Sequence, residues 1–275
     1  MTSDPRVTIV VATRDRHDVL RDSLARHSVP AIVVDNASRE PIPDAIRLER
    51  NLGGAGRNVG VEAASTPYVA LTDDDAWWAH GALERAVAVL DAHPRLALVQ
   101  ARVLVGPDER LDPTCAEMAR SPLRGEPDQP GHAILGFVAC AVVVRRDAFL
   151  SVGGFSERLH VGGEEALLAG DLVAAGWQLS YVPSVVAHHC PPETSRDRPE
   201  RREVVLRNAL WMHWLRRPAR IAAVRTAATL AGAPREPATV RAAARALAGV
   251  PWVLRERRVS PARVEAMRRL LDEAA

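Results

Sequence analysis

The chain has 275 residues, 47% of them apolar and 25% charged, which suits one large folded domain with an extension and excludes a disordered polymer. Its longest apolar run, residues 138–144, is strand-sized, and residues 1–6 are polar with no apolar core, so neither a membrane-spanning helix nor a secretory signal is expected. The net charge of +2 conceals a split: all 36 basic residues are arginine, and residues 196–275 carry 18 of them against 8 acids, while the preceding part carries 18 against 26.

Residues 7–12 (VTIVVA) form a continuous β-branched run, the pattern of a strand buried on both faces of a parallel sheet. Residues 16–27 follow with helical spacing, residues 31–35 (AIVVD) give a second buried strand and residues 68–72 (YVALT) a third, with a helix over 82–90. This alternation predicts an α/β fold with a mostly parallel sheet flanked by helices. Residues 97–105 read as another strand. Residues 106–130, rich in Pro, Gly and charge, read as a surface excursion. Strand character returns over 137–144, a helix is expected over 165–175, and residues 178–187, interrupted by Pro183, read as an edge strand or two short ones. Beyond Pro199 the chain is helical, arginine-rich and punctuated by proline. Cys115, Cys140 and Cys190 are odd in number and widely spaced, which implies no disulfide framework and fits a reducing cytoplasm.

Ligands of such sheets sit at the carboxyl ends of the strands, and polar residues stand there. Thr13 and Arg14 follow the first strand, Asp35 and Asn36 end the second, and Asp73, Asp74 and Asp75 follow the third. Three successive carboxylates repel one another, and a cation relieves the repulsion. Oxygen ligands favour Mg2+ or Mn2+, commonly together with phosphate oxygens. In an extended segment Asp73 and Asp75 would point to one side; the competing reading makes the triplet the acidic first turn of a helix near Trp77. The segment NLGGAGRNVG, residues 51–60, is a glycine-rich turn into a helix, where backbone amides and Arg57 suit an anion. It is neither a dinucleotide-binding fingerprint nor a Walker loop.

In order, VTIVVATRDR, VVDNAS, NLGGAGRNVG, ALTDDDAWW, GFVACAVVVRRDAFLSVGGF, GGEEALLAGDLVAAGWQLSYVPSVVAHH and RNALW resemble the signature of family 2 glycosyltransferases, particularly rhamnosyltransferase-like members. The resemblance spans about residues 6–215. It implies the GT-A fold, with a catalytic domain over 1–195 (donor half about 1–105, acceptor half about 130–195) and an arginine-rich helical extension over 196–275. It implies an inverting, metal-dependent transfer of one sugar from a UDP-, dTDP- or GDP-linked donor to a glycan, lipid-linked or small-molecule acceptor. Thr13, Arg14, Asp35, Asn36, Gly54, Arg57, Asn58, Asp73 and Asp74 would contact the donor, Asp35 through the base. Asp75, Asp73 and His189 would hold Mn2+ or Mg2+, with His188 as the register alternative and a Zn site of His188, His189 and Cys190 as a rival reading. Glu165 takes the place of the family's catalytic aspartate, with Glu164 the alternative base. The family's Glu-Asp-x-Asp-Leu here reads Glu164-Glu165-Ala166-Leu167-Leu168, so a catalytically impaired nucleotide-sugar-binding module is the second reading, and a sugar nucleotidyltransferase the third. Trp77 or Trp78 could floor a sugar ring.

Nothing in the sequence points to nucleic acid. The basic extension reads either as helices packed on the catalytic domain or a second copy, or as helices lying on an anionic membrane. The expected location is cytoplasmic, with or without attachment at the inner membrane face.

Overall fold

A computed structural model describes residues 4–27, 29–191 and 199–274. The elements run β1 (Val7–Thr13), α1 (His17–Leu24), β2 (Ala31–Asp35), β3 (Ile46–Arg47), α2 (Gly56–Ala63), β4 (Tyr68–Thr72), β5 (Ala76–Trp78), α3 (Ala82–Ala92), β6 (Leu96–Val105), β7 (Arg110–Leu111), α4 (Pro113–Ala119), β8 (His132–Ala133), β9 (Ala141–Arg145), α5 (Arg146–Ser151), α6 (Glu164–Ala174), β10 (Gln178–His189), α7 (Pro199–Arg216), α8 (Ala219–Gly232), α9 (Pro237–Ala248), α10 (Val250–Glu256) and α11 (Ala262–Ala274). The main path of the sheet is β3-β2-β1-β4-β9-β6-β10-β5, with β7 on β6 and β8 on β10.

The strands in the middle are apolar on both faces because helices cover both. Ile9, Val10 and Val11 of β1, Val69, Ala70 and Leu71 of β4, and Val142 and Val143 of β9 are fully buried. β1 is parallel to β2 and β4, as expected, but β9 runs antiparallel to both β4 and β6, and β5 antiparallel to β10. The sheet is therefore mixed at its centre. This matters for the site, because antiparallel β9 brings its N-terminal end to the carboxyl end of β4.

Four local expectations change. Residues 106–130 are not all surface: Asp112 caps α4 by accepting from the Thr114 N–H at 2.8 Å, and Cys115 and Met118 of that helix enter the core. The returning strand starts at Ala141, four residues late, because residues 134–140 make their turns first. β10 is one continuous strand rather than two or an edge strand. Pro183 falls in an irregularity between Val182 and Val186, and β5 and β8 cover the side away from β6. Asp73–Asp75 is neither extended nor helical; it is a turn, closed by the Ala76 N–H donating to the Asp73 carbonyl at 3.1 Å, and it leads into the short strand β5.

The basic extension packs on the sheet-bearing fold. Leu159 and Leu167 join Leu210, Trp211, Leu215, Trp252 and Val253 in a second core, and Arg216 forks onto both oxygens of Asp171 on α6 at 2.6 and 2.7 Å. Many of its arginines are matched internally: Arg217 with Glu265 and Asp272, Arg241 and Arg245 with Glu203. The boundary expected at 195/196 lies outside the described residues.

Candidate functional site

The turn of Asp73, Asp74 and Asp75 exists because the chain leaves the middle of the sheet at Thr72 and re-enters at the far edge at Ala76. There Ala76 pairs with His189, and the Cys190 N–H donates to the Asp75 carbonyl at 2.9 Å. Register alone thus sets the last residues of β10 beside the triplet. His189 faces it, with Nε2 3.1 Å from Asp75 Oδ1. His188 turns away, its ring stacked on Trp77 and its Nδ1 3.3 Å from Glu109. Trp77 also carries the Arg26 guanidinium over its face, and Trp78 is buried with its indole N–H on Thr72, so neither tryptophan lines the site.

Each carboxylate of the triplet has its own partners. Asp73 pairs with Arg57; Asp74 accepts from the Thr13 hydroxyl at 2.6 Å and pairs with Arg16; Arg16 reaches Asp75 as well at 2.9 Å. Two arginines therefore supply the counter-charge that three adjacent acids require. Burial pushes Asp74 up to about 6 in spite of Thr13 and Arg16. Burial acts the same way on Asp75, but His189 and Arg16 outweigh it and its pKa falls. Arg57 is opposed by its own burial, and the charges of Asp73, Glu165 and Glu164 outweigh that and keep it protonated.

These groups wall a cavity of about 500 Å³ at the carboxyl ends of β1 and β4. Of the residues expected to contact the donor or a metal, the cavity is lined by Thr13, Arg14, Asn36, Arg57, Asp73, Asp74, Asp75 and His189. Asp35 lies behind it, fully buried, accepting from the Ser38 and Ile42 amides at 2.8 and 3.3 Å and paired with Arg47. Asn58 is committed elsewhere: its amide exchanges two hydrogen bonds with the Phe155 backbone, at 2.8 and 2.9 Å, and it borders a separate cleft of about 1030 Å³ under Trp211 and Trp252.

The cavity has walls that the sequence did not announce. Arg16, His160, Val161 and Arg201 all line it. Arg16 stood in the motif TRDR and carried a signal, a charge beside a strand end. His160 and Arg201 carried none, since loop docking puts them there. The glycine-rich turn meets the loop before α6 backbone to backbone, the Gly54 N–H donating to the His160 carbonyl at 2.6 Å. Gly53, at φ +61°, sits so close that a Cβ would overlap that carbonyl, so any side chain there forces the loops apart.

Behind this contact stand the two acids that open α6. Glu164 is buried against Gly54, and burial, then the charge of Glu165, pushes it up to about 7. Glu165 is half-buried, and burial raises its pKa also. Both feel Arg57, which links them to Asp73. The loop that leads to them is held from the extension: the fully buried Asn208 donates to the carbonyls of Leu159, Val161 and Gly162 at 2.8, 3.1 and 2.7 Å.

The donor set fits a divalent cation. Ligand atoms of Asp73, Cys140 and His189 lie within 4.8 Å of one another, and the Asp75 carboxylate adjoins them through His189.

The profile of the family described as Glycosyl transferase family 2 matches residues 8–153. Two curated relatives from Mycobacterium tuberculosis are similar: a pre-mycofactocin glycosyltransferase, 30% identical over 66% of this chain and 42% of its own, and an N-acetylglucosaminyl-diphospho-decaprenol L-rhamnosyltransferase, 28% identical over 47% and 49%. The chain thus spans less than half the length of either. Among solved structures, a mannosyltransferase from Pyrobaculum calidifontis in complex with GDP-Man and Mn2+ superposes with a TM-score of 0.59 at 21% identity, covering 93% of this chain and 84% of that one. S. aureus TarS with UDP-GlcNAc superposes at 0.57 and 16% identity over 95% and 83%. At such identities the likeness is one of fold, the GT-A fold.

Proposed function

We propose, for a chain that belongs to glycosyl transferase family 2, that it transfers one sugar from a nucleotide-sugar donor to an acceptor hydroxyl with inversion at the anomeric carbon. The observation that carries this reading is the cavity at the ends of β1 and β4, where Arg14, Arg16, Arg57 and Arg201 face Asp73, Asp75 and His189. Such a cavity suits a nucleoside diphosphate: guanidiniums fork onto phosphate oxygens, and acids with an imidazole take a divalent ion. The mannosyltransferase and TarS named above bind GDP-Man and UDP-GlcNAc, which supports a nucleotide-sugar donor here.

In this reading Asn36 and Thr13 border the donor, and Asp35 holds the nucleoside by exchanging one of its amide or arginine partners for the base. Asp75, Asp73 and His189 would hold Mn2+ or Mg2+, which when bound screens the charge of the leaving diphosphate. Arg57 stabilises that charge from the protein side. Glu165 takes the proton from the acceptor hydroxyl as the oxygen attacks the anomeric carbon from the face opposite the leaving group. Glu164 sets the field around it. The acid that stands for aspartate is longer by one methylene, and it feels the charge of Arg57. Incubation with UDP-, dTDP- and GDP-sugars, Mn2+ and a panel of glycan, lipid-linked and small-molecule acceptors tests the reading. Acceptor-dependent release of nucleoside diphosphate is expected. Donor binding by thermal shift without any release would leave the binding-module reading standing.

For the extension we propose contact with an anionic membrane surface from the cytoplasmic side. Val240, Leu247 and Leu254 recur every seven residues along α9 and α10 and are 70%, 65% and 66% exposed, beside the exposed Arg255 and Arg258. An apolar stripe edged with arginine is complementary to acyl chains under anionic headgroups.

A further inference from the structure

We infer that Cys140 belongs to the ligand set of the cation site, and that the site for this reason prefers thiophilic ions such as Zn2+ or Co2+ over Mg2+. The inference rests on reading the Asp73–His189 cluster as a metal site and adds a ligand that the sequence did not suggest.

The placement comes from strand register. β9 runs antiparallel to β4 with Thr72 opposite Ala141, so the next residues outward, Asp73 and Cys140, meet at the strand ends. β10 delivers His189 to the same corner through its pairing with β5. One ligand atom from each of Asp73, Cys140 and His189 lies within 4.8 Å of the other two. A tetrahedral ion with a sulfur, a nitrogen and an oxygen ligand needs spacings of roughly 3.3–3.8 Å, so closure asks for about 1 Å of side-chain adjustment. Cys140 is buried, 8% exposed, and stands immediately before β9 begins.

The chemistry then differs from that of an all-oxygen site. Mg2+ takes hard oxygen ligands, whereas a thiolate, an imidazole and one carboxylate suit Zn2+ or Co2+. On binding, the thiol gives its proton to solvent and the sulfur lone pair goes to the ion, so affinity rises with pH. Asp73, Cys140 and His189 alone leave a fourth position of a tetrahedral ion, which Asp75 or an oxygen of the donor would take.

The test is a Co2+ titration of the full chain, read in the near-ultraviolet, where thiolate-to-cobalt charge transfer absorbs. One equivalent of signal is expected. Cys140→Ser should abolish it, while Cys115→Ser and Cys190→Ser keep it; the second control is needed because Cys190 adjoins His189. Cys140→Ser should also weaken Zn2+ by at least the ~10-fold that loss of an outer-shell partner costs, with Mg2+ changed by less. Should the serine variant fail to fold, alkylation of Cys140 in the unaltered protein replaces it: Zn2+ should protect the thiol and Mg2+ should not. Absence of the band at saturating Co2+, its survival in Cys140→Ser, its loss in Cys190→Ser, or equal protection by both ions overturns the assignment. Sugar transfer with Mn2+ is measured in parallel. Its failure would overturn the proposed activity and leave the cobalt result to judge the ligand.

Discussion

At the residue scale the proposed reaction turns on two groups of acids with opposite surroundings. Asp75 is held ionised by His189 and Arg16, as the proposed metal ligand must be, and Asp75→Ala should abolish both sugar transfer and the effect of Mn2+ on donor binding. Undiminished turnover of that variant in excess chelator would remove the metal role. Glu164 and Glu165 are instead raised by burial. Glu165→Gln keeps shape but cannot accept a proton, so kcat should fall by at least ~10²-fold with donor affinity little changed. If Glu164→Gln loses the activity and Glu165→Gln keeps it, the base is one residue earlier. These surroundings also fix the sign of the pH dependence. A base works as the carboxylate, and the groups facing this pair are Arg57, which favours ionisation, and Asp73, which opposes it. Turnover should therefore decline as pH drops through about 7, the value toward which Glu164 is pushed, because the interacting pair takes up a proton there and leaves less free carboxylate to act as base. Glu164→Gln should flatten that limb. An initial-rate profile of the variant that matches the unaltered protein through this region counts against the coupling.

At the element scale, one side chain from α7 fixes the approach to α6. Asn208 has a single amide group to spend on three carbonyls of residues 159–162, and its own oxygen accepts from Arg207 at 2.8 Å. Removing it leaves buried carbonyls unpaired, at a cost of about 1–3 kcal/mol. Asn208→Ala should lower the midpoint of denaturant unfolding by that measure. It should also reduce kcat more than it raises KM for the donor, since the loop carries the acids of α6 while most of the donor cavity belongs to other elements. A merely structural role would lower stability and leave the kcat of the folded fraction intact. The Gly53 contact is the same joint seen from the other side, where the glycine-rich turn meets His160.

At the scale of the whole molecule, charge segregation has two destinations. Arg216, Arg217, Arg241 and Arg245 are matched to acids and stitch the extension together and onto α6. The outer stripe of Val240, Leu247 and Leu254 is not covered by this packing, and no helix among the described residues is long and apolar enough to cross a membrane. Sedimentation with anionic vesicles at low salt should carry the protein down, and raised salt should release most of it as the headgroup attraction is screened. Leu247→Glu with Leu254→Glu should leave it in the supernatant at both. Concentration-dependent dimerisation without vesicles, lost in the same double variant, would instead make the stripe a contact between two copies.

The parallel part of the sheet and the polar residues at its strand ends were legible in the amino-acid order. Runs such as VTIVVA and YVALT are apolar at every position, which only a doubly covered strand tolerates, and Thr13, Asp35 and Asp73–Asp75 follow such runs directly. The start of α6 was legible to within one residue, since Gly163 and two acids open an apolar helix. The direction of β9 was not, because burial on both faces reads the same in parallel and antiparallel strands. Nor did side-chain pattern announce that His160, Arg201 and Cys140 would meet the triplet. Those residues are far apart in the chain, and their meeting depends on sheet register and loop docking, where the energy lies in backbone pairing that leaves no mark on side-chain pattern. The choice of His189 over His188 was of this kind. Alternate residues of a strand face opposite sides, so tertiary pairing with Ala76 decided which imidazole reached the carboxylates.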